Sequence, residues 1–428
     1  MDLIEQLQEE NNRLRKAVDE LSILIDLARV ISSTMNLDTV IENVVKRSVK
    51  AVHGQQGMIT LVDEQAPTEM KTLIRAQNST SQHEHFHLHQ NILGWMMINK
   101  KPLLVNDIRN DSRFAGVRAE GDQRSLLCVP LLVKNRLIGI LAIFNKKDGK
   151  EFTKDDERLL YIIAGQSGQI LENARLMEQE RSLFSMQEQV RLASNIQLGL
   201  LPKKAPQIAG YEIAGKSIPA QTVGGDYFDF INIDNEHMAL CLGDVTGKGL
   251  PASLLMANTQ ATLRGQTLLT TSAKECIVRS NKLLFESTSD EKFVTLFYSI
   301  LNIPKHELLF CNAGHDNPYL FSRGKEPRRL KTGGVVLSIM ESFPYDEEAV
   351  ALAAGDMLVI YSDGVPEAMN ANQEMYTDTK LGESLQKLSH LPSAEIIDAV
   401  FAEVRAHAGN FPQSDDMTMI VVKRLMQD

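Results

Sequence analysis

Four acidic positions, each set against the end of an apolar run, constrain this chain more than any other feature. The run Met238–Leu242 drives straight into Gly243-Asp244 and the glycine-rich turn Val245–Gly249. Just upstream, Gly224-Gly225-Asp226 leads into a second run, Phe228–Ile233. Far downstream, Met357–Tyr361 runs into Ser362-Asp363-Gly364, and Asp415-Asp416 open the run Met417–Val422. A buried strand that stops on Gly-Asp places a carboxylate at a sheet edge, and glycine lets backbone approach a ligand closely. Carboxylates gathered this way repel: at about 4 Å and an effective dielectric near 20, two of them oppose each other by roughly 4 kcal/mol. Several such pairs rival the roughly 5–15 kcal/mol that holds a domain together. Either the acids lie on separate edges, or cations bring them together. Hard oxygens without His or Cys beside them favour Mg²⁺ or Mn²⁺ over Zn²⁺. Two such ions roughly 3.5–4 Å apart make a site for hydrolysing phosphate esters. Turn capping, the commoner fate of a single Asp-Gly, accounts less well for all of these acids together.

The remaining composition narrows the class. A chain of 428 residues has room for two or three domains, each with its own core. Its net charge of −10, with no basic block, argues against nucleic acid as the main partner. Cys128, Cys241, Cys276 and Cys311 are widely spaced in or beside apolar segments, the pattern of reduced, packed thiols rather than of disulfides or a zinc site. The first residues are acidic and polar, unlike a signal peptide. The most apolar window, Ser125–Phe144, is broken by Lys134-Asn135-Arg136 and reads as a hairpin, not a membrane span. These features predict a soluble cytoplasmic protein with neither a nucleic-acid nor a membrane partner.

Taken in order, the chain opens on heptads over residues 1–28. Ile4, Asn11, Val18 and Ile25 share one seam position, and Leu7, Leu14, Leu21 and Ala28 the other. β-Branched residues at a with Leu at d favour a parallel pair, and Asn11 would set its register, so a coiled-coil homodimer is expected. The alternative is an amphipathic helix lying on its own domain. Residues 21–176 read as mixed α/β, with a helix at Leu37–Val52 and strands at Gly57–Val62, Thr72–Ala76, the Phe86 region, Leu127–Val133 and Leu137–Phe144. Thr153 then caps a further helix whose first turn is acidic. His83, His85, His87 and His89 alternate, which places them on one face of a strand. Consecutive same-face residues rarely converge on one metal, so a solvent face is the simpler reading. Residues 159–201 run helix-compatible to Pro202, with a register change between Phe184 and Met186 that suits a signalling linker or a passive spacer. Residues 206–425 carry strands around the helices Ala252–Leu269, Ala273–Ser287 and Ser393–Ala408, which predicts an α+β sheet sandwich covered by helices.

Two resemblances rest on these residues. Asn145-Lys146, Phe152 and Asp156-Glu157 match in type and spacing the signature of GAF sensor domains. In that family the motif accompanies cyclic-nucleotide binders, but also domains with other ligands or none. A Lys146–Asp156 pair pinning the hairpin to the helix would explain it without a ligand. Gly224-Gly225-Asp226-Tyr227-x-Asp229, Gly243-Asp244-x-Thr246-Gly247-Lys248-Gly249, Asn312-Ala313-Gly314-His315, Tyr361-Ser362-Asp363-Gly364 and Asp415-Asp416-Met417-Thr418 occur in the order and spacing of another family. The region resembles the SpoIIE branch of the metal-dependent (type 2C, PPM) serine/threonine phosphatases, and the whole chain looks like an RsbU-type phosphatase behind a GAF sensor.

The resemblance implies a multidomain α+β chain: coiled coil, GAF domain, helical linker and a PPM-type α-β-β-α sandwich. It implies two divalent cations, Mn²⁺ or Mg²⁺, with Asp244 bridging them. The carbonyl of Val245 would complete one of the two shells; Asp226 would hold one ion, and Asp363 with Asp415 the other, Asp416 being the alternative to Asp415. These carboxylates are the implied catalytic set, and a phosphorylated anti-sigma-factor antagonist of the STAS type is the implied substrate. His315 is a candidate proton donor or a turn-stabilising residue. No Arg stands near Asp226 to clamp phosphate, as one does in many eukaryotic members. Gly243–Gly249 is not a Walker A loop, because it has three residues between glycines instead of four, and Gly249 replaces the Ser/Thr that would bind Mg²⁺. The rival readings are a catalytically silent scaffold and a cyclic-nucleotide receptor controlling a partner.

Overall fold

A computed structural model describes residues 10–11, 36–62, 71–73, 90–111, 113, 123–289 and 291–426. The chain divides into two compact units, Met1–Ser185 and Met186–Asp428. The predicted coiled coil, apart from Glu10 and Asn11, and the His83–His89 strand lie outside the described residues.

In the first unit five antiparallel strands form one sheet, in the order β2 (Lys71–Leu73), β1 (Gly54–Leu61), β5 (Arg136–Lys146), β4 (Leu126–Val133) and β3 (Leu103–Val105). The Ser125–Phe144 window is indeed a hairpin: β4 and β5 turn on Lys134 and Asn135, whose φ values of 46° and 67° suit the right-handed strand twist. One sheet face is covered by helix Leu37–Ala51, which lays Val40, Ile41, Val44 and Val45 against Ile59, Leu141 and Ile143. Leu160, Ile163 and Leu171 of the long helix Lys154–Leu200 join the same core. On the other face, Ile92 and Met96 of helix Gln90–Asn99 cover Met58, Cys128 and Ile140. That helix and β3 are absent from the sequence reading.

The Asn145-Lys146…Phe152…Asp156 pattern has a structural account here. Lys146 Nζ ion-pairs with Asp156, whose carboxylate also accepts from Thr153 N (2.7 Å) and Thr153 Oγ1 (2.9 Å). Asp156 N donates back to Thr153 Oγ1, so strand and helix start are locked together. Burial opposes the Asp156 charge, yet the bonds from Lys146 and Thr153 outweigh it and hold the carboxyl below its usual range. Asn145 Oδ1 accepts from Arg124 N and Ser125 N, fixing the entry to β4.

The second unit is two sheets face to face between helix layers. One sheet runs β13 (Gly333–Gly334), β10 (Glu307–Ala313), β9 (Val294–Asn302), β8 (His237–Val245), β7 (Tyr227–Asn232), with β14 (Glu348–Ala351) also on β10. The other runs β12 (Arg328–Arg329), β11 (Tyr319–Phe321), β15 (Met357–Tyr361), β16 (Met417–Arg424), β6 (Tyr211–Ile218). Alternation along β8 sends Leu240 and Leu242 inward against Phe297, Leu358, Ile360 and Ile420. Ala239 and Cys241 face outward, beneath Met256 and Leu263 of helix Leu250–Thr267 and Cys276 of helix Ala273–Ser287. Helices Asp378–Leu388 and Ser393–Ala408 cover Val359, Met419 and Val421 of the second sheet. This is the expected α-β-β-α sandwich. All four cysteines are buried free thiols. Among the described residues no helix is long and apolar enough to cross a membrane.

Candidate metal centre

Strand ends decide where the acids sit. Tyr227, the first residue of β7, pairs with Gly243 near the end of β8, so Asp226 and Asp244 come to the same edge of one sheet. Tyr361, the last residue of β15, pairs with Met419, so Asp363 and Asp415 share one end of the other. The sheets meet there through Ser362, whose Oγ donates to Asp226 Oδ2 (2.7 Å) while accepting from Thr418 N (2.9 Å). Predicted as the end of an apolar run at Leu242, β8 actually continues through Asp244 and Val245, because both still pair with Thr295 and Val294 of β9. Gly225 faces this edge at close quarters: a Cβ there would stand 2.9 Å from the Val245 carbonyl oxygen and 3.1 Å from Asp244 Oδ1. Only glycine leaves that space for another occupant.

The electrostatics are those of carboxylates short of positive charge. Burial, then Asp244 and Asp416, push the Asp226 carboxyl well above its usual range, against hydrogen bonds from Thr418 and Ser362. Asp244 is pushed up to about 8 by burial, then by Asp363, Asp415 and Asp416. Asp363 rises to about 6 through burial, then Asp415 and Glu367, with Lys248 opposing. Oxygen donors of this kind suit hard divalent cations. Yet among the described residues no three carboxylate, imidazole or thiol groups already close around one point. The predicted residues share one end of the sandwich, in an open arrangement.

The neighbouring acids Asp415 and Asp416 are not equivalent. Asp416 Oδ1 accepts from Ala220 N (2.7 Å), and its Oδ2 from Gly225 N (2.6 Å) and Asp226 N (3.2 Å). Its carboxylate is thereby spent on holding the loop that carries Asp226. Asp415 is partly exposed, and Lys248 Nζ lies 3.0 Å from its Oδ2. Asp415 Oδ1 in turn accepts from Asp416 N (2.9 Å), so both its oxygens are engaged as well; what separates the two acids is that Asp415 is the more exposed.

His315 is held within the turn after β10. It is buried, its Nδ1 meets Thr295 Oγ1 at 2.9 Å, and its backbone exchanges hydrogen bonds with the Asn312 side chain. Burial lowers it to about 4, which favours the neutral imidazole at neutral pH.

Three supporting residues went unnoticed in the sequence. Gln197, near the end of helix Lys154–Leu200, donates from Nε2 to Gly224 O (2.6 Å) and accepts at Oε1 from Gly224 N (3.1 Å). Ser194, one turn earlier, donates to Thr222 O (2.5 Å). Arg264 grips the fully buried Asp229 with two bonds, 2.7 and 3.0 Å, tying helix Leu250–Thr267 to β7. None of these belongs to a periodic pattern, and their partners lie 27 to 35 residues away along the chain.

Comparison with known proteins agrees with this layout. Residues 234–425 match the family profile of stage II sporulation protein E (SpoIIE), and residues 34–172 that of the GAF domain. The chain is 28% identical over 256 residues to the phosphoserine phosphatase RsbU of Bacillus subtilis, covering 58% of this chain and 74% of that protein. It is 27% identical over 256 residues to protein IcfG of Synechocystis, covering 54% of this chain and 40% of that one. Against stage II sporulation protein E of Priestia megaterium it is 30% identical over 206 residues, 47% and 34% of the two chains. The alignment therefore spans well under half the length of the latter two relatives. Among solved structures, the SiaA-PP2C domain of Pseudomonas aeruginosa superposes with a TM-score of 0.50 at 20% identity, covering 57% of this chain and 98% of that one. That likeness supports the fold of the second unit.

Proposed function

On the premise that this chain joins a GAF domain to a phosphatase domain of the SpoIIE family, we propose that it is a sensor-regulated, metal-dependent protein serine/threonine phosphatase. The carrying observation is the convergence of Asp226, Asp244, Asp363 and Asp415 on one end of the sandwich, with Asp226, Asp244 and Asp363 short of compensating charge. Two divalent cations would be held by Asp244, shared between them, by Asp226 on one side and by Asp363 with Asp415 on the other, the Val245 carbonyl completing one shell. When bound, Mn²⁺ or Mg²⁺ supplies Lewis acidity and a water of lowered pKa for in-line attack on phosphorus. The chain's own residues do the positioning. Ser362 orients the Asp226 carboxylate, Asp416 fixes the loop bearing it, and the Gly225 cleft keeps that side open. No covalent protein nucleophile is needed.

A phosphorylated STAS-type anti-sigma-factor antagonist is the proposed substrate, in stress or developmental signalling. RsbU, the relative named above, is a phosphoserine phosphatase by its name. The test is Mn²⁺-dependent release of phosphate from such a phosphoserine protein. No release in any ligand state, together with no Mn²⁺ bound, would favour the silent scaffold. The Lys146–Asp156 lock accounts for the GAF motif without a nucleotide, so the signal is left as a small molecule of unassigned class.

Regulation is proposed to run through the single 47-residue helix Lys154–Leu200. Its start belongs to the GAF core, and its Gln197 and Ser194 hold the backbone of the loop before Asp226. Replacing Gln197 by Leu keeps the helix but leaves both Gly224 backbone groups unpaired. At about 1 kcal/mol or more for each lost bond, the Mn²⁺ concentration for half-maximal activity should rise roughly 10- to 100-fold. Unchanged Mn²⁺ dependence would remove this route.

A further inference from the structure

The turn after Asp244 carries a cation in an unusual position. Gly247 (φ 95°) and Gly249 (φ 72°) flank Lys248 in conformations that L residues rarely adopt. This backbone places Lys248 on the wall of a small cavity shared with Ala220, Gln221, Gly225, Asp415 and Asp416. Its Nζ donates to the Ser414 carbonyl and lies 3.0 Å from Asp415 Oδ2. The side chain is 49% exposed, so it is free to swing toward solvent. Lys248 thus stands where the proposed second cation would claim Asp415.

Loading the centre with metal and substrate shifts its charge balance. Four carboxylates against two divalent cations leave the centre neutral, and a phosphoserine then brings about −1.5 to −2. Arg264 is committed to buried Asp229, and Arg329 to Tyr361 and Asp378. Among the described residues Lys248 is a cation already in contact with the set, and a divalent ion on Asp415 would remove one of its two present partners. From this we propose that Lys248 is an exchangeable counter-ion: it occupies Asp415 until a divalent cation displaces it, and then grips the phosphate of the bound phosphoprotein. The role rests on the metal site proposed above and supplies the phosphate clamp that the sequence lacks in the form of Arg.

The test uses the full chain stripped of metal, as wild type, Lys248→Met and Lys248→Arg. Calorimetry measures Mn²⁺ binding alone, then inorganic phosphate binding to the Mn²⁺-saturated protein. Lys248→Met should bind its weaker Mn²⁺ about 5- to 10-fold more tightly, since no ammonium has to be displaced. It should bind phosphate about tenfold more weakly, and Lys248→Arg should keep phosphate binding near wild type. Unchanged phosphate affinity in Lys248→Met overturns the grip, and unchanged Mn²⁺ affinity overturns the exchange. A wild type that binds no Mn²⁺ refutes the metal centre itself, an outcome distinct from either.

Discussion

Asp244→Asn should abolish phosphatase turnover, by about a thousandfold or more, while the sandwich stays folded. The side chain projects from the end of a strand held to β9 through its backbone, Asp244 pairing with Thr295 and its N–H donating to Thr295 Oγ1 (3.3 Å). Removing its charge therefore leaves β8 intact. It also takes away a carboxylate that burial and three neighbouring acids already push up to about 8. The metal-free variant should melt no lower than wild type at neutral pH. Activity is another matter, because a carboxylate shared by two cations, the role proposed for Asp244, would set both at once. Metal assistance is worth several kcal/mol to a transition state, and about 4 kcal/mol corresponds to roughly three decades of rate. Mn²⁺-dependent kcat/KM on a phosphoserine protein, with thermal midpoints of the metal-free variant, checks both halves. A variant turning over at wild-type rate would take Asp244 out of the bridge.

Metal-free protein should lose stability as pH rises from about 4 to about 8, the reverse of ordinary acid denaturation. A carboxyl whose folded pKa lies above its unfolded value of about 3.9 binds more protons in the native state. Its stabilising contribution is then full below the unfolded value and drains away as pH climbs through the folded one. Those folded values are about 6 for Asp363 and about 8 for Asp244. Asp316, raised to about 6 by burial, adds to the loss, whereas buried His315, lowered to about 4, opposes it up to about pH 6.5 and is outnumbered by the raised carboxyls. Acids held low by partners, such as Asp156, act at the acidic end. Divalent cations should reverse the loss. A ligand at a hundredfold excess over Kd stabilises by about 2.7 kcal/mol, which for a domain of this size raises the midpoint by roughly 5–10 °C. Calorimetric midpoints at pH 5.5 and pH 8, with and without Mn²⁺, should show the larger rise at pH 8. A metal-free form most stable at pH 8, or indifference to Mn²⁺ at both values, would contradict the crowded-carboxylate picture.

Much of the architecture could be read from local pattern. Met357–Tyr361, Ala273–Ser287 and Ser393–Ala408 form with the predicted bounds, because each is a clean apolar period between turn or capping residues. Helix Asp378–Leu388 leaves little trace in the pattern, since only Leu381, Ser384 and Leu385 are buried and Gly382 interrupts it. Helix Gln90–Asn99 is apolar on most sides, so no periodicity marked it. At the candidate site, single acids at strand ends were visible, whereas the groups that hold them were not. Asp416 reaches Gly225 across 191 positions and Gln197 reaches Gly224 across 27. Such bonds satisfy backbone groups of a loop after the fold has brought them near, and no local spacing anticipates them.

Strand β16 lies between β15 and β6, pairing along Met417–Arg424 with β6 and along Met419–Lys423 with β15, and the Asp415-Asp416 corner sits at its head. On a translating ribosome the earlier strands of the sandwich emerge with their central neighbour still missing. Contacts of such long separation close slowly. Nascent chains that still conceal β16 should therefore be inert toward phosphoproteins, however fully the GAF domain at residues 34–172 has folded.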